Sequence, residues 1–419
     1  MLLGSVPDIP VYVETANVAA PTQTSHARKA GGAHVAIVTI PEHGHVLPTL
    51  ALVSELVRRG HRVTYIVSSD FVDAVREAGA TRIVPLIGKL PEGAIPEGDM
   101  EAGVSFLVNA AARLVPQLHA VFAADRPDVV VHDLLAWSGK MLAAHLGVPA
   151  VQLNCSHAPY KSWEREMCGV ASLQDAAFFD DFRRFLHANG IDSSTESFIS
   201  NSDYSVVFTV KRFQRMSHTV SDSHTFVGPS LGERRFQGQW HRVSDRPLLF
   251  VSMGSCFSGS TDFINACVEA FELPDWDVVM AVGNRADLSG MHRAPPKNVS
   301  LRRHVPQLKV LAQADAFISH GGMGSTMEAM YYGVPLVVIP QMSEQRINAT
   351  QVQELNLGRC VPSADATASE MRRVFMSVVG DKALKSRVEE MQREVQGAGG
   401  AQAAADVVER ALNDYSLLS

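Results

Sequence analysis

Short, nearly uncharged runs rich in valine and isoleucine alternate with stretches of helical period along this chain. That alternation restricts the fold more than any other feature. "HVAIVTI" (34–40) precedes "LPTLALVSELVRRG", where Leu47, Leu50, Val53, Leu56 and Val57 share one helical face and Gly60 ends the helix. "HRVTYIVS", "ATRIVPL", "PDVVVHD" and "GVPAVQLN" repeat the strand pattern, and "LAWSGKMLAAHLG" reads as the helix between the last two. Strands apolar on both faces and joined by helices predict a parallel sheet wrapped by helices. A second series begins at "PLLFVSMGS" and runs through "WDVVMAVG", "NVSLRRHVPQ", "ADAFISH" and "VPLVVIP".

At 419 residues the chain is too long for one compact core. The two series predict two α/β domains of similar size, at 33–225 and 247–396. Residues 226–246 fall in a stretch rich in Gly, Pro and charge and read as the linker. A helix at 397–419 closes the chain. Residues 1–32 lack a charged n-region followed by an apolar h-region, and read as a poorly ordered leader rather than a signal peptide. Asn154–Ser200 breaks the alternation with Trp163, Met167 and several phenylalanines among charges, a setting for a binding pocket.

The net charge of −7 argues against a nucleic-acid partner. Five scattered cysteines with no CxxC pair read as reduced thiols in a cytoplasmic protein, without a zinc or disulfide framework. No apolar run reaches the ~18 residues of a membrane span.

The most informative segment is "AFISHGGMGSTMEAMYYGVPLVVIPQMSEQRINA" (316–349). A strand runs into His320, Gly321, Gly322 and Gly324, and a helix begins near Ser325. Glycines admit a ligand close to the backbone, and a helix N-terminus presents unpaired N–H groups and partial positive charge. A phosphate or pyrophosphate is the natural guest. The spacing is neither G-x-G-x-x-G nor a P-loop. Glu328 lies about one turn into the helix, where it could take ribose hydroxyls or sit as a solvated charge.

"HVPQL" followed by this segment resembles the nucleotide-sugar signature of glycosyltransferase family 1, the UDP-glycosyltransferase superfamily, and the wording is nearest its bacterial macrolide branch. "HGHVLP", "ELVRRGHRVTY", "RPDVVVHD", "FVGPS", "VSMGS" and "GAGGAQAAADVVE" extend the resemblance from about His34 to the C-terminus. The resemblance implies the GT-B fold, two Rossmann-like parallel-sheet domains facing across a cleft. The first would take the acceptor, the second the nucleotide sugar, and the last helix would cross back to the first. It implies that His320, Gly322, Gly324 and Ser325 hold the diphosphate, with Ser255 near the phosphates. Glu328 would bind ribose, Glu344 and Gln345 hexose hydroxyls, and Val305 and Gln307 the uracil and ribose. His304 stands where the family usually has a base-stacking Trp, which leaves UDP or dTDP open. The Glu344–Gln345 pair favours an intact hexose such as glucose.

An attacking acceptor hydroxyl must lose its proton, and imidazole suits that task. The resemblance assigns His45 as the base and Asp133, at the end of the fourth strand, as its partner. His132 should face the other side of that strand. His43 is expected to line the acceptor pocket with Trp163 and Met167. Gly44 reads as allowing a tight turn, and Pro48 as fitting the first turn of the helix. A His43–His45 metal site would need ligands from elsewhere, and no zinc spacing is present.

The leading expectation is therefore an inverting transferase. It moves a hexose from a UDP-sugar to a lipophilic natural product such as a macrolide, so that an α-linked donor gives a β-glycoside. It needs no metal or prosthetic group and acts as a monomer or homodimer. Alternatives are a dTDP-deoxysugar transferase, a flavonoid or phenol glucosyltransferase, a UDP-sugar 2-epimerase, and an inactive helper protein.

Overall fold

A computed structural model of the chain describes residues 32–88, 100–169, 179–254, 260–284 and 286–418. Residues 1–31 of the leader, residues 89–99, Phe178 and Ser255 lie outside the described residues. The first domain holds seven parallel strands: β1 (His34–Val38), β2 (Arg62–Ser68), β3 (Arg82–Ile87), β4 (Val129–Asp133), β5 (Ala150–Asn154), β6 (Tyr204–Val207) and β7 (His224–Phe226), in the order 3-2-1-4-5-6-7. The second holds six: β8 (Leu248–Ser252), β9 (Asp277–Ala281), β10 (Val299–Arg302), β11 (Ala316–Ser319), β12 (Leu336–Val338) and β13 (Gly358–Cys360), in the order 10-9-8-11-12-13. β7 ends at Phe226, one residue beyond the expected edge of the first domain.

Each central strand is buried on both sides, which is why its sequence is apolar without alternation. In β1, Val35 and Ile37 enter one core while Ala36 and Val38 enter the other. The first of these cores also contains Ala404, Ala405, Val407, Val408 and Ala411 of the C-terminal helix, Gly400–Leu418. That helix therefore completes the first domain. Arg59 binds its Asp406 and Glu409, both at 2.6 Å, and His61 Nε2 meets Glu409 at 3.0 Å.

Both sheets reverse their winding at one point: between β1 and β4, and between β8 and β11. Chain segments leaving neighbouring strands there diverge to opposite faces and leave a crevice at the carboxyl ends. No helix among the described residues is long and apolar enough to cross a membrane.

The C-terminal helix supplies a stability test. Val408 is fully buried, so Val408→Asp places an unpaired carboxylate in the first core. Urea unfolding should show a loss of ~3–5 kcal/mol, the cost of an uncompensated buried charge. The same change at exposed Arg410 should stay within ~1 kcal/mol.

Candidate active site

The helix after β1 spans His43–Arg58, capped by the Glu42 carbonyl, which accepts from the N–H groups of His45 and Val46 at 2.9 Å each. It starts earlier than the sequence suggests, so Pro48 lies inside the helix and not in its first turn. Gly44 is in that first turn without a left-handed backbone, so it does not make the expected tight turn. The early start fixes His45 on helical geometry at the first crevice.

His45 Nδ1 lies 2.7 Å from Asp133 Oδ2 at the end of β4. An ionised carboxylate can only accept, so Nδ1 carries the hydrogen and Nε2 keeps its lone pair. The His45 side chain is 27 % exposed, whereas Asp133 is wholly buried. Asp133 Oδ1 accepts the Leu135 N–H at 2.8 Å, and Cys155 Sγ points at Oδ2 from 3.5 Å. Burial pushes the Asp133 carboxyl up, but His45, the Leu135 N–H and the thiol outweigh it, leaving Asp133 below the usual carboxylate range. For His45, burial lowers the pKa, and the charge and hydrogen bond of Asp133 outweigh that effect, so it lies above the ordinary imidazole value.

His132, one residue before Asp133, is buried and faces away, as strand alternation requires. A Cβ on Gly139 would come within 2.7 Å of the His132 Cβ, so only glycine lets the next helix pack there. Burial takes His132 down to about 4.

The second domain reaches the same crevice through the helix Ser343–Glu354. Ser156 Oγ, just past β5, donates to Glu344 Oε1 at 2.8 Å, and Asn348 Nδ2 donates to the same oxygen at 2.7 Å. Burial raises the Glu344 carboxyl, although these donors and His45 oppose the rise. Gln345 is buried, and its Oε1 accepts the Gln341 N–H at 2.8 Å.

At the second crevice, β11 leads into His320, and Gly322 caps the helix Met323–Tyr332. Gly321 has φ +84°, a conformation suited to glycine, and a Cβ there would strike Val338 Cγ1 at 2.5 Å. The His320 ring fits between two glycines: a Cβ on Gly254 or on Gly322 would approach it to 2.6 Å. Burial pushes His320 down to about 4, so it is a neutral imidazole at pH 7. Around Gly324 a Cβ would meet no atom within 4 Å, so the start of the helix faces open space.

Glu328 is not a solvated helix charge. It is 5 % exposed, and its Oε1 pairs with Arg234 Nη2 at 2.8 Å. Gln307 Nε2 donates to its Oε2 at 2.6 Å and to Ser325 Oγ at 3.1 Å. Val305 packs on the second core, and His304 is exposed beside it.

The structure therefore forms two groups, one of His45 and Asp133 with Glu344, and one of Gln307, Ser325 and Glu328. His43 stands edge-on to Phe71, ring centroids 4.9 Å apart, on a different side of the helix from His45. Trp163 is 8 % exposed and belongs to the aromatic cluster of Trp137, Tyr160 and Phe182, with Met167 packed against it.

Sequence reasoning missed Cys155, Ser156, Asn348 and Arg234. Asn348 was within reach, since it lies four residues after Glu344 on one helical face. Cys155 and Ser156 follow a strand adjacent to β4 at the same sheet edge. Arg234 comes from a linker without periodicity, and nothing local marks it.

Comparison with known proteins identifies the family and the fold. Residues 268–410 match the family model described as erythromycin biosynthesis protein CIII-like, C-terminal domain. The NDP-glycosyltransferase YjiC of Bacillus subtilis (strain 168) is 38 % identical over 383 residues, covering 90 % of this chain and 96 % of the relative. The chain belongs to the bacterial macrolide branch of glycosyltransferase family 1. The oleandomycin glycosyltransferase of Streptomyces antibioticus is 34 % identical to this glycosyltransferase, with 91 % of each chain covered. The crystal structure of the glycotransferase of kitacinnamycin superposes with a TM-score of 0.82 at 34 % identity, covering 91 % of this chain and 99 % of that one. The two parallel-sheet domains are those of the GT-B fold.

The Arg234–Glu328 pair makes a direct prediction for this glycosyltransferase. Arg234→Met strands a buried carboxylate and should cost ~3–5 kcal/mol in urea unfolding. Adding Glu328→Gln should recover most of that loss, because no buried charge then remains.

Proposed function

We propose that this glycosyltransferase moves a hexose, glucose in the first instance, from a UDP-sugar to a hydroxyl of a lipophilic natural product of the macrolide or polyketide type. The observation that carries the reading is the 2.7 Å contact from His45 Nδ1 to a fully buried Asp133. It leaves Nε2 as a proton acceptor on the exposed side of the ring. Names among the relatives, such as oleandomycin glycosyltransferase and demethyllactenocin mycarosyltransferase, support the acceptor class.

In this reading the acceptor oxygen gives its proton to His45 Nε2 as it attacks the anomeric carbon from the face opposite the leaving group. Asp133 holds the ring and stabilises the imidazolium. The diphosphate leaves toward the N-terminus of the helix Met323–Tyr332, where backbone N–H groups, Ser325 and neutral His320 meet its developing charge without a metal. Ser255, in "SMGS", serves the same phosphates. Glu344 and Gln345 read the sugar hydroxyls. Glu328 and Gln307 take the ribose, and His304 with Val305 flanks the base. One displacement inverts the anomeric centre, so an α-linked donor yields a β-glycoside.

Incubation of the purified protein with UDP- and dTDP-sugars and a panel of macrolides, flavonoids and simple phenols tests the reading by mass spectrometry. The expected result is one added hexose from UDP-glucose on a macrolide, with His45→Ala slower by ~10²–10⁴-fold, the range for loss of a general base. Preference for a dTDP-deoxysugar would move the donor assignment. Undiminished transfer by His45→Ala, or an α-linked product by NMR, would overturn the mechanism.

A further inference from the structure

Cys155 takes no part in the transfer described above, yet its sulfur is directed at the dyad. Sγ lies 3.5 Å from Asp133 Oδ2 and 3.8 Å from the His45 carbonyl oxygen, and His45, Asp133 and Cys155 each bring one ligating atom within 4.8 Å of the others. Among the described residues this is the one cluster of three or more His, Cys, Asp or Glu side chains with ligating atoms so close. We propose that these three atoms form a binding site for a thiophilic divalent cation, with zinc(II) as the test ion, and that its occupation switches the transferase off.

The geometry is near that of a tetrahedral centre. With bonds of about 2.0–2.1 Å to nitrogen, about 2.0–2.2 Å to oxygen and about 2.3 Å to sulfur, tetrahedral angles place sulfur and oxygen about 3.6 Å apart. The observed 3.5 Å already meets this. Nitrogen and oxygen must separate from 2.7 Å to about 3.3 Å, a displacement that a small rotation of the His45 ring supplies. His45 is the partly exposed member, so water reaches the cluster from its side and can complete the shell.

The charge also balances. Coordination deprotonates the thiol, and zinc(II) with one thiolate and one carboxylate is neutral overall. A neutral centre carries a far smaller burial penalty than a bare dication. The thiolate selects zinc or cadmium over magnesium and calcium, which prefer oxygen ligands.

Loss of activity follows from the proton. Before metal binds, the imidazole hydrogen is on Nδ1 and Nε2 is free to accept. When the metal takes Nδ1, the hydrogen moves to Nε2, and the thiol proton leaves to solvent, one proton released per ion. An imidazole protonated on Nε2 and bonded to metal through Nδ1 has no lone pair for the acceptor hydroxyl. Inhibition therefore needs no ion in the substrate path. This half of the proposal rests on His45 acting as the base; the binding half does not.

The test uses the full, untagged chain freed of metal by chelator and buffer exchange. Calorimetric titration with zinc should give one tight equivalent with proton release, and cobalt(II) should give a near-ultraviolet thiolate-to-metal absorption band. Cys155→Ala and Cys155→Ser, checked for native folding by circular dichroism, should abolish the band. They should weaken zinc binding by at least the ~10–100-fold that loss of even an outer-shell partner costs. Each protein's transfer rate is compared with its own metal-free rate. Wild type should lose activity with zinc and regain it with EDTA, while both variants should need at least tenfold more zinc, to order of magnitude ~10–100-fold. No cobalt–thiolate band in wild type, or equal zinc affinity in both variants, overturns the site even if His45→Ala is inactive. Tight binding through Cys155 with an unchanged rate overturns the switch.

Discussion

A parallel sheet delivers the carboxyl end of every strand to one edge, and where the winding reverses, no connection covers that edge. This constraint underlies every part of the site. In the first sheet the reversal separates β1 from β4, and the chain leaving each of them contributes one half of the His45–Asp133 pair. In the second it separates β8 from β11, and the chain leaving them supplies Gly254 and His320, which pack against each other. Residues distant in sequence meet because both sheets obey the same rule.

Electrostatics at these edges rests on pairs of unequal exposure. Asp133 has no access to solvent, and its charge is held by His45, a backbone N–H and a thiol. His45 keeps one side open, so its proton chemistry can reach a substrate. Glu328 repeats the scheme on the other domain, anchored by Arg234 on one oxygen and touched by Gln307 on the other. Glu344 is bonded from both domains at once, by Ser156 and Asn348, which brings a second-domain carboxylate into the electrostatic field of His45. For Asp133 and Glu328 such burial adds little to stability, and a carboxylate fixed at both oxygens, as each of these is, has few alternative positions.

Much of this was legible in the sequence because the underlying rules are local. Doubly buried strands read as unbroken apolar runs, and a glycine-rich stretch marks the turn from β11 into the helix Met323–Tyr332. The alternation put the ends of β1 and β4 on one sheet edge, and the family resemblance, not the alternation, paired His45 with Asp133. The start of the His43–Arg58 helix was misjudged because Pro48 suggested a first turn, whereas the Glu42 carbonyl nucleates the helix upstream of it. Arg234 and Cys155 were missed for a different reason. Each acts on a partner 94 or 22 residues away, and neither carries a period or a motif. Glu328 was open between a ribose ligand and a solvated charge; its burial beside Arg234 removes the second option and is a fact of tertiary packing alone.

The central claim is that Asp133 sets the basicity of His45, and the pH dependence of kcat/KM in wild type and Asp133→Asn tests it most directly. As the proposed base, His45 with its raised pKa would work only when deprotonated, so wild-type activity should fall as pH drops through a value above the ordinary imidazole 6.5. Replacing the carboxylate removes the largest influence that raises that value and leaves only Glu42 and Glu344 to oppose burial, which lowers it. The acid limb should then move to lower pH while the plateau drops by ~10²–10⁴-fold, as expected when a general base loses its orientation. An acid limb at the same pH in both proteins, or a plateau that does not drop, would contradict the account.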